Sequence, residues 1–303
     1  MALMIVMSGS ASARSARTHG PIRGIIPNRE AHGSHGSHGG GGGTNTSSQN
    51  LIFHGGPVLS GNTAYAIFWA PSGYSFPSGY ESLIERYLKD DSVDTSKDLT
   101  SNVYYAATQY SGLSAATNVG GSYTDTTQFT NDCRDRATAI CVSDAQIARE
   151  LNNLVTGGTV PSGSNYIYFV FTPPGVGSCY SRGSCSFTQF CAYHSNTGNL
   201  LYANMPYADT SPAACDSGYQ PNGNPADATI NVLSHEHNET ITDPFGTAWY
   251  NSSGYENGDL CAWNFGTMTG SGASAYNQTI NGDHYALQQE WSNKSSGCVL
   301  QGY

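Results

Sequence analysis

The chain has 303 residues, with 12 basic and 22 acidic side chains, a net charge of −10 and only 11 % charged residues, against about 25 % in an ordinary soluble domain. This balance excludes a nucleic-acid binder, which needs a basic footprint, and the 38 % apolar content excludes a disordered chain. No apolar run of about 18 residues reads as a membrane span, and the eight cysteines among so few charges are typical of an exported protein stapled by disulfides.

Residues 2–7 form a short apolar run, and Ala11-Ser12-Ala13 follows with the small-x-small pattern of a signal-peptidase site. Residues 1–13 are therefore expected to be a truncated signal peptide. Residues 14–50 carry glycines, serines and four histidines (His19, His32, His35, His38) with almost no large apolar side chain. They read as a linker rather than a site. From Leu51 to Tyr303 the chain is one domain with eight basic and 21 acidic side chains, a net −13. That length is ample for a hydrophobic core.

Within the domain, Thr63–Trp69 reads as a buried strand, and Leu83, Ile84, Tyr87 and Leu88 place a helix over residues 79–91. The same spacing in Leu99, Val103, Ala107 and Tyr110 predicts a second helix. A third runs from Ser143 to Val155, capped by Ser143 or Asp144 and ended by Gly157-Gly158. Tyr166–Phe171 is a near-continuous apolar strand of the kind found central in a covered sheet. Leu201–Tyr207 is a weaker strand, and Asp227–Thr242 is the fourth helix. A hairpin turns at Asn281-Gly282 and returns through Tyr285, Leu287 and Trp291. The alternation predicts a single α/β (α+β) domain, a mixed sheet packed with helices. Sequence leaves the cysteine pairing open. Closeness along the chain favours Cys133 with Cys141, Cys179 with Cys185, Cys191 with Cys215, and Cys261 with Cys298. A cysteine-ligated zinc is disfavoured because no C-x2-C spacing occurs.

The fourth helix carries the chemistry. Its residues ATINVLSHEHNETITDP put His235, Glu239 and Asp243 on one stripe, with successive members about 40° apart. Ile230, Leu233 and Ile241 face the other way, with His237 among them. H-E-x-x-E is similar to the H-E-x-x-H helix of zinc peptidases, in which positions i and i+4 hold the metal and the i+1 glutamate is the base. Zinc accepts carboxylate oxygen as well as imidazole nitrogen. His235 and Glu239 are thus candidate ligands and Glu236 the candidate base. The third ligand is Glu256, from the loop after the helix, or Asp243, one turn further along, and Glu256 closes a tetrahedron more readily. Asp259 would then orient a ligand. Three of the seven glutamates after residue 50 fall here, within about twenty positions, which is the clustering expected of a site. A strand at the sheet edge precedes the active-site helix in zinc-peptidase folds, and Leu201–Tyr207 stands at that place. Calcium is the alternative ion for the same carboxylates. His54 reads as a turn residue, His194 could line a cleft, and His284 belongs to the hairpin. No G-x-S-x-G elbow is present.

FHGGPVLSGNTAYAIFW (53–69), SHEHNETITDP (234–244), AWY (248–250) and ENGDLCAWNFG (256–266) resemble the secreted phosphate-induced, or exordium-like, proteins. They are closer still to exported proteins of soil bacteria with an H-E-x-x-E-x-x-T-D-P helix. The resemblance implies an extracellular, zincin-like protein of undefined substrate, and a monomer is expected. Two functions follow as expectations. One is a zinc-dependent hydrolase, foremost a peptidase, acting on extracellular peptide or protein. The other is a non-catalytic protein acting at the cell wall or in signalling.

Overall fold

The computed structural model describes residues 49–110 and 112–303. Residues 1–13, read as a signal peptide, and 14–48 of the expected linker lie outside them. A short strand β1 (Ile52–Phe53) precedes β2 (Asn62–Trp69), every residue of which is buried. Helix α1 (Tyr80–Thr95) follows, then a 3-10 turn over Val103–Gln109 where a second helix is expected, and β3 (Thr117–Asp125). Asn102 caps that turn by accepting from the Tyr104 backbone N–H, and the chain is extended again at Tyr110.

Strand β4 (Ile140–Ser143) leads into α2 (Asp144–Thr156). Ser143 accepts from Gln146 N at this helix start, and Gly158 takes a positive φ of 73° beyond its end. Next come β5 (Tyr166–Thr172), β6 (Val176–Ser181), β7 (Ser184–Cys185), β8 (Tyr193–Thr197) and β9 (Leu200–Pro206). The main sheet has the order β3-β2-β5-β9-β8. Its pairs are parallel except β8 with β9, which is antiparallel. Leu201–Tyr207 is therefore an interior strand rather than the expected edge. The edge is β8, joined to β9 by the turn Gly198-Asn199.

Alternation along the strands builds two cores. Ala64, Ala66, Phe68, Ile167, Phe169, Phe171, Leu201 and Ala203 face one side, with Ile84 and Leu88 of α1. Tyr65, Ile67, Trp69, Tyr168, Val170 and Tyr202 face the other, with Ile147 and Leu151 of α2. The same alternation turns Tyr193 toward the α2 layer and its neighbour His194 toward the α1 layer.

After α3 (Pro212–Cys215) comes α4 (Ala226–Thr242). Asp227, in its first turn, accepts from the Asn222 backbone N–H at 3.0 Å. All 17 residues of α4 are buried, so this is a central helix rather than an amphipathic surface one. Asp243 ends it. Its Oδ1 accepts from the backbone N–H groups of Thr247 and Ala248, which reverses the chain before β10 (Trp249–Tyr250).

The C-terminal part is made of small hairpins: β11 (Gln278–Ile280) with β12 (Asp283–Tyr285), and β13 (Glu290–Ser292) with β14 (Gly297–Val299). Asn281 and Gly282 both have positive φ, 49° and 97°, as a two-residue hairpin turn requires. The expected return through Trp291 belongs to the second hairpin instead. Side-chain amides hold these segments to the body: Asn277 donates to the carbonyls of Phe265 and Leu287, both at 2.7 Å. Asn293 donates to Leu51 O at 2.9 Å.

All four expected disulfides form. Cys191–Cys215 ties the approach to β8 to the approach to α4, and Cys261–Cys298 ties the loop after α4 to β14.

A buried carboxylate and histidine cluster

The last two turns of α4 present His235, Glu236 and Glu239 to one region. The loop after β10 contributes Glu256 and Asp259, and β8 contributes His194. The side chains of His235, Glu236, Glu239 and Glu256 are fully buried, and that of His194 is 2 % exposed. His194 is the member that sequence reading left as a cleft residue. It lies more than thirty positions before the helix, in a polar strand. Its one sequence signal is the alternation YHSNT, which sets His194 and Asn196 on the face opposite Tyr193.

His194 Nδ1 lies 3.3 Å from Glu236 Oε2 and 3.8 Å from Glu239 Oε2. Its Nε2 lies 3.3 Å from the carbonyl oxygen of Asp243 and 3.9 Å from Glu256 Oε1. When Nε2–H donates to that carbonyl, Nδ1 turns a lone pair toward two carboxylates, which is the pattern of a metal-binding histidine held by a backbone acceptor. His235 Nε2 lies 3.0 Å from Glu239 Oε1 and 3.8 Å from Asp259 Oδ1. Its Nδ1 meets the Gln288 side-chain amide at 2.7 Å. Glu239 Oε1 also accepts the Asp259 backbone N–H at 2.9 Å, and Glu256 N donates to Asp259 Oδ2 at 3.1 Å.

Donors within 4.8 Å of one another fall into two groups: His194, Glu239 and Glu256, and His235, Glu236 and Glu239. The expected trio His235, Glu239 and Glu256 is thus divided, with Glu239 common to both groups. Asp243 is committed to the turn through Oδ1, and its carbonyl faces His194. A third grouping, Cys133, Cys141 and Cys179, consists of sulfurs already joined in disulfides.

The electrostatics of the cluster favour a cation. Among the oxygens of Glu236, Glu239, Glu256 and Asp259, five are buried without a hydrogen-bond partner: Glu236 Oε1, Glu239 Oε2, both oxygens of Glu256, and Asp259 Oδ1. An orphaned buried carboxylate oxygen costs several kcal/mol. Among the described residues, the ion pairs of these acids are with His194 and His235 alone. Burial, then the charge of Glu239, raises Glu236 well above the usual carboxylate range. Burial likewise raises Glu239 and Glu256, each with neighbouring carboxylates adding to it. Asp259 is pushed up to about 8 by burial and by Glu239, and burial lowers His235 to about 4. Glu236 and Glu239 also sit near the negative end of the helix dipole, where anions are disfavoured. A divalent cation among these oxygens and imidazoles removes all of these costs, so the donor set fits a metal.

His237, on the same helix, is structural. Nε2–H donates to Asn62 Oδ1 at 2.8 Å, and Nδ1 accepts from Tyr104 OH at 2.9 Å. Burial lowers it to about 3. Gln288 and Glu290 are site neighbours that sequence reading did not single out. Gln288 N is held by Asn231 Oδ1 at 2.7 Å, and Glu290 Oε2 accepts from Asn257 at 2.9 Å.

No protein-family model matches the chain. No curated protein and no solved structure proved similar to it.

Proposed function

We propose that the protein is an exported, zincin-like, metal-dependent hydrolase with Glu236 as its general base, acting on peptide or protein. The observation that carries the metal is the set of orphaned, fully buried carboxylate oxygens facing two histidines. Support for a peptide substrate comes from the likeness of H-E-x-x-E to the zinc-peptidase helix. Four disulfides fit export to an oxidising compartment. No described helix is long and apolar enough to cross a membrane.

A bound divalent ion supplies Lewis-acid activation of a water. The chain's part is to move the proton. Glu236 stands next to His235 in the helix and keeps Oε1 without a partner. Glu236 is the carboxylate placed to take a proton from water and return it to the leaving amine. His235, Glu239, His194 and Glu256 are the candidate ligands, with zinc the first candidate ion because imidazole and carboxylate both suit it. Glu236→Gln should abolish hydrolysis of a protein substrate while metal content stays unchanged, and undiminished turnover in that variant would sink the mechanism.

One observation favours a second reading. All donor side chains are closed to solvent, and closed metal sites are structural ones. In that reading the protein is non-catalytic, exordium-like, and acts at the cell wall or in signalling, with zinc or calcium as a brace. It predicts no turnover by the wild-type protein and a large loss of thermal stability on chelation.

A further inference from the structure

We propose that the cluster holds two metal ions rather than one, bridged by the carboxylate of Glu239. The inference rests on the metal reading above and goes beyond it in number and ligand assignment.

The two oxygens of Glu239 address different histidines. Oε1 lies 3.0 Å from His235 Nε2, and Oε2 lies 3.8 Å from His194 Nδ1. The histidines come from separate elements, α4 and β8, and approach the carboxylate from its two sides. Each has its own further carboxylate: Asp259 Oδ1 lies 3.8 Å from His235 Nε2, and Glu256 offers a donor within 4.8 Å of those of His194 and Glu239. Glu236, the base of the reading above and not a ligand in it, stands beside both pairs, since it groups with His235 and Glu239 and also lies 3.3 Å from His194. A carboxylate whose oxygens each face a separate imidazole–carboxylate pair is placed to bridge two ions.

Charge points the same way. Glu236, Glu239, Glu256 and Asp259 carry four negative charges when ionised, and the buried carboxylates of Asp243 and Glu290 stand beside them. One divalent ion leaves at least two of these charges uncompensated in a buried site, which is costly, and a second ion offsets two more. Two-metal hydrolytic sites use such a clamp to hold the attacking and leaving groups together.

The test is metal stoichiometry by mass spectrometry of the intact, disulfide-bonded chain after loading with Zn(II) and, separately, Mn(II). Every sample carries His19, His32, His35 and His38 replaced by Ser, so that the histidine-rich segment does not bind ions of its own. Two equivalents are expected, falling to one in His194→Gln and to one in His235→Gln, while Glu239→Gln weakens both sites at least tenfold. The Mn(II)-loaded protein without further substitution should give an exchange-coupled paramagnetic resonance spectrum, a readout that needs no site variant. One equivalent with an isolated Mn(II) spectrum would overturn the pair and leave the metal reading standing. Two equivalents that survive both histidine variants would overturn the ligand assignment. No metal retained at all would overturn the metal reading itself, and the pair with it.

Discussion

Gly258 shows how closely the loop presses on the site. A Cβ built there would stand 2.7 Å from His235 Nδ1, 2.8 Å from its Cε1 and 2.9 Å from Glu239 Oε1, closer than carbon and nitrogen tolerate. The backbone at Gly258 has φ −71°, so the demand is for space and not for conformational freedom. Gly258→Ala should therefore push His235 and Glu239 apart without removing a donor. Metal affinity is expected to fall by about 10- to 100-fold, the range seen when supporting groups around a metal are disturbed. A competition titration against a chelating dye measures it, and an unchanged affinity would contradict the described packing. At this scale the sequence was legible in part. His235, Glu236 and Glu239 stand out because their spacing is a helical one. Glu256 and Asp259 are close enough along the chain to be suspected. His194 is not, because its place depends on which face of an unrecognised strand looks toward α4.

Elements differ in how openly they declare themselves. Strands β2 and β5 are buried on both faces and so are nearly continuous apolar runs. Strand β3, TNVGGSYTD, is at the sheet edge and largely exposed, and no hydrophobic pattern marks it. Strand β8 is buried, yet its sequence YHSNT is polar, because one face carries site chemistry. Reading Leu201–Tyr207 as the edge follows from missing β8, which takes that position and pairs antiparallel with it. The predicted second helix shortened to a 3-10 turn, although its apolar spacing is real and Val103, Tyr104 and Ala107 do enter the core. The disulfide Cys191–Cys215 spans 24 residues and fixes where β8 meets α4. Replacing both cysteines by Ser should cost about 3 kcal/mol of stability on a chain-entropy argument. Denaturant unfolding of the double variant checks it, and the hairpin-borne β13–β14 pair should be unaffected in local hydrogen-exchange protection.

Across the whole molecule, metal and protons compete for the same carboxylates. In the metal-free protein Asp259 and Asp91 are both raised to about 8 by burial, from an ordinary 3.8. The native state then holds protons that the unfolded chain has released, so stability falls as pH rises toward 8. His235 and His237 have the opposite sign. Lowered to about 4 and about 3, they add stability as pH rises, but this gain is complete above their unfolded value of 6.5. Between pH 6.5 and 8 only the acids still titrate. The chelated protein should therefore lose thermal stability over that interval. The metal-loaded protein should hold or gain, because binding releases protons. Melting temperatures of both forms at pH 6.5 and 8 test this, and parallel curves would count against a metal at the cluster.

The amides that anchor α4 and the C-terminal hairpins have a consequence for how the protein can be made. Asn238, Asn277 and Asn293 each begin an N-x-S/T sequon, the acceptor signal for N-linked glycans. Asn238 is fully buried and donates to Ser234 O at 2.9 Å, and the other two spend their amide hydrogens on the carbonyls of Phe265, Leu287 and Leu51. A sugar on Asn277 would take a hydrogen from one of the two bonds that hold its segment in place, and at the fully buried Asn238 there is no room for one. A host that glycosylates nascent chains would thus mark this protein before it could close, whereas a host without that machinery would leave it free to fold.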